Sequence, residues 1–250
     1  MKYVYSISDN CELERYQLFV EKHARVISEY VGFISEYYDV KELPEYIVFS
    51  NLDMATKVHK MIPVPAYTNE IRTVITPEIS VWKKIYLRQL DHYKIDSRVQ
   101  FVRNYYESML SENHILQILG HELLHQSELF VEDFNNEDSM EEGIWFEEGM
   151  VEYISRKYFL TEEEYAIGKK SNQLLSELFE EYFRTDSIEC FGQSTFDGSY
   201  GAIFYEYWRS FLAVDFLVHK LGSVEKVFQR YHQWDKQGRV IPLSRWFEME

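Results

Sequence analysis

Cysteine is almost missing from this chain. Its 250 residues contain only Cys11 and Cys190, far apart and in no Cys-x-x-Cys pattern, which argues against both a disulfide framework and a thiolate metal site. A reducing compartment suits such usage. Proline and glycine are scarce too, at 5 and 10 residues, and no repeat, low-complexity tract or Pro/Gly/Ser-rich linker divides the chain. Nowhere do 18 uncharged apolar residues run together, so no segment is suited to spanning a bilayer. The opening stretch, MKYVYSISDNCELERYQ, meets charge before any apolar run of signal-peptide length. Basic residues are outnumbered, 26 against 42 acidic ones, for a formal charge of −16. None of them cluster densely enough to track phosphates, which makes nucleic acid and anionic membrane poor partners. The expectation from these absences is a cytoplasmic protein.

Apolar material is plentiful: 46% of residues are hydrophobic and 17% aromatic, with 20 Tyr and 17 Phe. A chain of this length and composition can bury a core large enough for an enzyme. Lys2 to Ser8, Glu45 to Ser50 and Arg72 to Thr76 read as strands, the last two β-branched and bounded by Pro44 and Pro77. Glu12 to Tyr38 reads as an amphipathic helix through Leu18, Val26, Ile27, Tyr30, Ile34 and Tyr37. From about Asp96 the pattern turns helical, over Val99 to Leu110, a segment around Ser111 to Phe130, Thr161 to Phe183, Ala202 to Leu221 and Val224 to His232. Thr161 and Glu164 have the spacing of a capping box, and Gly222 suits a left-handed helix end. The expected fold class is α+β, with a small mixed α/β lobe over 1–110 packed on a mainly helical lobe over 111–250, the two forming one domain.

The chemistry lies in His121-Glu122-Leu123-Leu124-His125. On a helix, positions i and i+4 share a face, so His121 and His125 can direct ring nitrogens at one point as a metal clamp. Glu122 is then beside the clamp, able to accept a proton from a metal-activated water without being a ligand. Ile115, Leu116, Ile118, Leu119, Leu123 and Leu124 supply the other faces. Beyond His125 the segment Trp145-Phe146-Glu147-Glu148-Gly149-Met150-Val151-Glu152-Tyr153 starts another helix and offers a carboxylate as third ligand, with Glu148 twenty-three residues after His125. Three protein ligands and an open position are the pattern of a catalytic zinc, whereas structural sites close with four. Glu152 lies one turn after Glu148, where it can hold a ligand histidine by its second ring nitrogen.

The pairing of GHELLHQ with WFEEGMVEY resembles the gluzincin metallopeptidases, the superfamily of thermolysin and the alanyl-type aminopeptidases. The resemblance spans Ser111 to Gly222. It implies a zincin-like fold, a zinc ion held by His121, His125 and Glu148 rather than Glu147, and Glu122 as general base. It also implies a tyrosine on a later helix facing the oxyanion: Tyr207, with Ser210 as the small residue after it, and Tyr205 in reserve. An edge strand beside the metal helix would bind substrate backbone, and Arg72 to Thr76 is the segment expected to do so. The metzincin pattern is excluded, because Glu128 and Val131 stand where it needs Gly and His. The Gly-Ala-Met-Glu-Asn segment with which alanyl-type aminopeptidases grip a free N-terminus has no counterpart, so exopeptidase action is not implied. The expected function is zinc-dependent hydrolysis of a peptide or protein substrate. The alternative is a non-catalytic zinc-binding regulatory or interaction protein on the same fold. His23, His59, His92, His114, His219 and His232 have no partner at helical spacing and read as surface or packing residues.

Overall fold

A computed structural model describes residues 1–59, 64–131, 143–192, 195 and 198–249. Within them the chain is mixed α+β, mostly helical around one four-stranded sheet. The order begins with strand β1 (Lys2–Ser6), helix α1 (Asn10–Tyr37), strand β2 (Tyr46–Ser50) and a π-helical turn over Met54–His59. Strands β3 (Ala66–Thr68) and β4 (Arg72–Ile75) follow, then helices α2 (Ile79–Arg88), α3 (Ser97–Ser108) and α4 (Glu112–Leu124). The remainder is helical: α5 (Ile144–Phe159), α6 (Glu162–Tyr182), α7 (Tyr200–Leu221), α8 (Val224–Lys236) and the short α9 (Leu243–Trp246). No helix among the described residues is long and apolar enough to cross a membrane.

Helix α1 starts on a capping box. The Asp9 side chain accepts from Cys11 N at 2.9 Å and Glu12 Oε2 accepts from Asp9 N at 3.3 Å, which satisfies amides that the first turn leaves open. Its buried stripe is Tyr16, Phe19, Val20, Ile27, Tyr30 and Ile34. Leu18 and Tyr37, expected on that stripe, are 58% and 62% exposed. Leu18 lies nine positions ahead of Ile27, which at about 100° per residue puts it on the opposite side of the helix.

The sheet runs β1-β2-β4-β3, with β1, β2 and β4 parallel and β3 antiparallel to β4. Arg72 to Thr76 is therefore not the edge. β4 is enclosed between β2 and β3, and the edge on that side is β3. The pairs Asn69 N to Arg72 O and Thr76 N to Pro65 O bracket the β3–β4 ladder. Antiparallel hydrogen bonding alternates along such a ladder, so Tyr67 bonds inward while the backbone groups of Ala66 and Thr68 point out.

One face of the sheet, through Ile47, Phe49, Ala66 and Ile75, joins the same core as α1, α4, α5 and α7. The other face, Val48, Tyr67 and Val74, is covered by Ala55. A second core joins Val99, Val102 and Tyr105 of α3 to Leu174, Leu175 and Leu178 of α6. Residues on both sides of position 110 share both main cores.

Candidate metal centre

Helix α4 is seated by Tyr30, whose hydroxyl donates to the Gly120 carbonyl at 2.9 Å. A side chain at Gly120 would meet Phe159 Cε2 at 2.5 Å, so only glycine lets α1, α4 and the end of α5 close around the turn that carries His121. The helix ends at Leu124, and His125 continues it by one residue in right-handed helical geometry before the chain turns away. The two histidines thus keep the one-turn relation expected of them, with Nε2 atoms 3.3 Å apart.

Helix α5 brings the carboxylates. It crosses α7 at Gly149, where an added Cβ would lie 2.4 Å from the Ser210 carbonyl oxygen and 2.6 Å from Val214 Cγ2. That close approach sets Glu148 beside both the histidines of α4 and Tyr207 of α7. Glu148 Oε2 lies 3.1 Å from His121 Nε2 and 3.6 Å from His125 Nε2. It is buried and makes no hydrogen bond. Tyr207 donates its hydroxyl to the other oxygen, Glu148 Oε1, at 3.2 Å. Among the described residues, His121, His125 and Glu148 form the one buried group whose donor atoms converge closely enough to hold a metal ion.

Each histidine is held from behind by its own carboxylate. His121 Nδ1 is 2.9 Å from Glu152 Oε2, and His125 Nδ1 is 2.7 Å from Glu147 Oε1. A carboxylate only accepts, so Nδ1 carries a proton in both rings, and Nε2 is the atom of each that faces Glu148. Burial alone would push both imidazoles down. The surrounding carboxylates reverse that, carrying His125 up to about 9 and His121 well above its ordinary value. For Glu148, burial is outweighed by the two histidines, which hold it at about 2. Burial raises Glu147, with the His125 hydrogen bond opposing. A pocket with this field draws positive charge.

Glu122 is buried on α4 between the two histidines, and its charge is felt at Tyr207. The Tyr207 hydroxyl titrates well above its ordinary value, first because it is buried and then because of the charges on Glu148 and Glu122. It stays a donor. Tyr205 is carried elsewhere: its hydroxyl reaches Glu180 at 3.0 Å and its ring stacks on Phe179 at 4.4 Å. Ser210 is fully buried where α7 meets Gly149.

Three neighbours went unread in the sequence. Glu147 is the partner of His125. Arg156, one turn after Glu152, closes on that carboxylate. Phe191, fully buried, packs edge-on against the Tyr207 ring at 5.5 Å. Arg156 had a signal, since Glu148, Glu152 and Arg156 recur every fourth residue along α5; Glu147 and Phe191 had none. His114, read as a packing residue, is buried against the Tyr105 hydroxyl at 3.0 Å. Among protein-family models, curated proteins and solved structures, none matches this chain.

Proposed function

We propose that the chain is a zinc-dependent hydrolase of peptide bonds, with a zincin-like arrangement of one sheet edge over a metal-bearing helix. The observation that carries the reading is the triangle of His121 Nε2, His125 Nε2 and Glu148 Oε2, with sides of 3.1, 3.3 and 3.6 Å. Tetrahedral zinc with bonds of about 2.0–2.2 Å spaces its ligand atoms about 3.3–3.6 Å apart. The donor set, two imidazoles and one carboxylate, leaves a fourth position open, as catalytic rather than structural zinc requires. A zinc ion there supplies Lewis acidity, lowering the pKa of a water toward neutrality and polarising the carbonyl to be attacked.

The chain's own groups do the rest. Glu122 takes the proton of the attacking water and passes it to the leaving nitrogen. The Tyr207 hydroxyl, kept protonated by burial and by the charges of Glu148 and Glu122, turns its one proton from Glu148 Oε1 to the carbonyl oxygen as negative charge builds on it. Glu147 and Glu152 fix the tautomer and tilt of the two imidazoles. The outward backbone groups of Ala66 and Thr68 on β3 suit an extended peptide added to the sheet edge.

The test is digestion of a peptide library by the zinc-loaded protein, with and without chelator, beside the Glu122→Gln variant. The variant retains one zinc per chain and loses cleavage by about 10²–10⁴-fold. A library left uncut by the zinc-loaded protein, or full activity in the variant, refutes the reading.

A further inference from the structure

Four carboxylates, those of Glu122, Glu147, Glu148 and Glu152, lie buried or nearly so around the two histidines. One dication cannot neutralise them all. Arg156, with a side chain only 12% exposed, is a further buried cation beside them. Its Nε and Nη2 both close on one oxygen, Glu152 Oε1, at 2.7 and 2.6 Å. The other oxygen, Oε2, accepts from His121 Nδ1 and from Gln117 Nε2, each at 2.9 Å. Both oxygens of Glu152 are thereby spoken for, and the carboxylate has one orientation.

The guanidinium is itself held on its remaining sides. It lies over the Phe211 ring at 4.0 Å. Asn172, with its amide turned to suit both neighbours, accepts from Arg156 Nη2 at 3.1 Å and donates to the Gly168 carbonyl at 3.2 Å. These contacts tie the chain His121–Glu152–Arg156 to α6 and α7. The opposite arm is built differently. Glu147 holds His125 at 2.7 Å, and among the described residues no lysine or arginine pairs with it.

We infer that Arg156 is a positioning residue for the metal: by pinning Glu152 it fixes the tautomer and tilt of His121 and so sets zinc affinity, through Glu152 and not through the fold. The inference rests on the zinc reading above. Partners of this kind change metal affinity by about 10- to 100-fold when removed. A planar guanidinium closing two donors on one oxygen is not reproduced by the single ammonium of lysine.

The test is a thermodynamic cycle on zinc dissociation constants, measured by competition with a chromophoric chelator, with a melting curve recorded for each protein. Arg156→Lys keeps the charge and weakens zinc binding about 10-fold. Arg156→Met, with the charge gone, weakens it further. Glu152→Gln and Glu152→Gln/Arg156→Met, the double change removing both buried charges and sparing the fold an unpaired one, bind zinc equally. Zinc affinity within twofold of the unaltered protein in Arg156→Lys overturns the arginine's role, as does an equal loss from the arginine change in the Glu152→Gln background. Unaltered protein that binds no zinc overturns instead the metal reading beneath it.

Discussion

Gly149→Ala separates local propensity from tertiary fit. Alanine is favoured over glycine inside a helix by about 1 kcal/mol, and Gly149 lies within α5, so local energetics predicts a stabilised protein. The structure predicts the reverse. The new Cβ would sit 2.4 Å from the Ser210 carbonyl oxygen, 2.8 Å from its carbon and 2.6 Å from Val214 Cγ2. The valine can turn, but the carbonyl belongs to the backbone of α7 and cannot yield without the helix. Relieving the contact needs a shift of roughly 1 Å between α5 and α7, and overpacking of this kind costs about 1–3 kcal/mol or more. The upper figure applies because the obstacle is backbone, leaving a net loss of about 2 kcal/mol after the gain in propensity. At roughly 2–4 °C per kcal/mol for a chain of this size, the melting temperature falls by about 4–8 °C. The same shift opens the 3.2 Å contact between Tyr207 and Glu148, so zinc affinity falls with stability. Thermal denaturation of the metal-free protein reads the first effect and chelator competition the second. An unchanged or raised melting temperature refutes the claim that α5 and α7 are locked at Gly149.

Two further outcomes follow from groups around the centre. His114 is depressed to about 4, mainly by burial, against about 6.5 in an unfolded chain. Between those values the unfolded chain binds a proton that the folded one refuses. Stability is thus complete above about pH 6.5 and drains as pH falls toward 4, by about 3 kcal/mol in all. Urea unfolding across that range, in excess chelator so that metal release does not contribute, shows a slope that His114→Gln flattens; equal slopes would remove His114 as the cause. Stripping metal from the protein leaves the far-ultraviolet circular dichroism unchanged and lowers the melting temperature only by the lost binding energy, and collapse to an unfolded spectrum on adding chelator would show the core to be insufficient.

Much of the helical half was legible because its signals are local. Thr161 and Glu164 form the box their spacing suggests, with Glu164 N donating to Thr161 Oγ1 at 3.2 Å, and α7 stops at Gly222 with φ of 90°. The histidine pair and the Glu148/Glu152 pair also declare themselves by one-turn spacing. What escaped depends on neighbours distant in sequence. β3 is three residues, Ala66-Tyr67-Thr68, too short for an alternation to be read, so the edge was assigned to β4. Leu18 was placed on the wrong face of α1 because an apolar residue is free to be exposed where no partner covers it. Glu147 reads in the sequence only as the rival of Glu148 for the third ligand, and Arg156 carries no reading at all. Only the packing of α5 against α4 and α7, which buries almost every residue from Ile144 to Ser155, turns them into members of the site.

That packing also explains why three potential donor atoms can stand 3.1–3.6 Å apart in a site whose electrostatics oppose the gathering of lone pairs. Two of the three donors are adjacent in sequence to a place where helices meet without room for a side chain: His121 follows Gly120, and Glu148 precedes Gly149. Fully buried Leu123, Leu124, Trp145, Phe146, Met150 and Val151 flank them, so the positions of the helices are set by apolar contact. The hydrogen bonds from His121, His125 and Tyr207 to Glu152, Glu147 and Glu148 then set the rotation of each donor. The triangle offers a single carboxylate oxygen, where calcium takes six to eight oxygens. On the zinc reading proposed above, two imidazole nitrogens and one carboxylate oxygen at this spacing are the donor set that a small divalent ion of the first transition row takes.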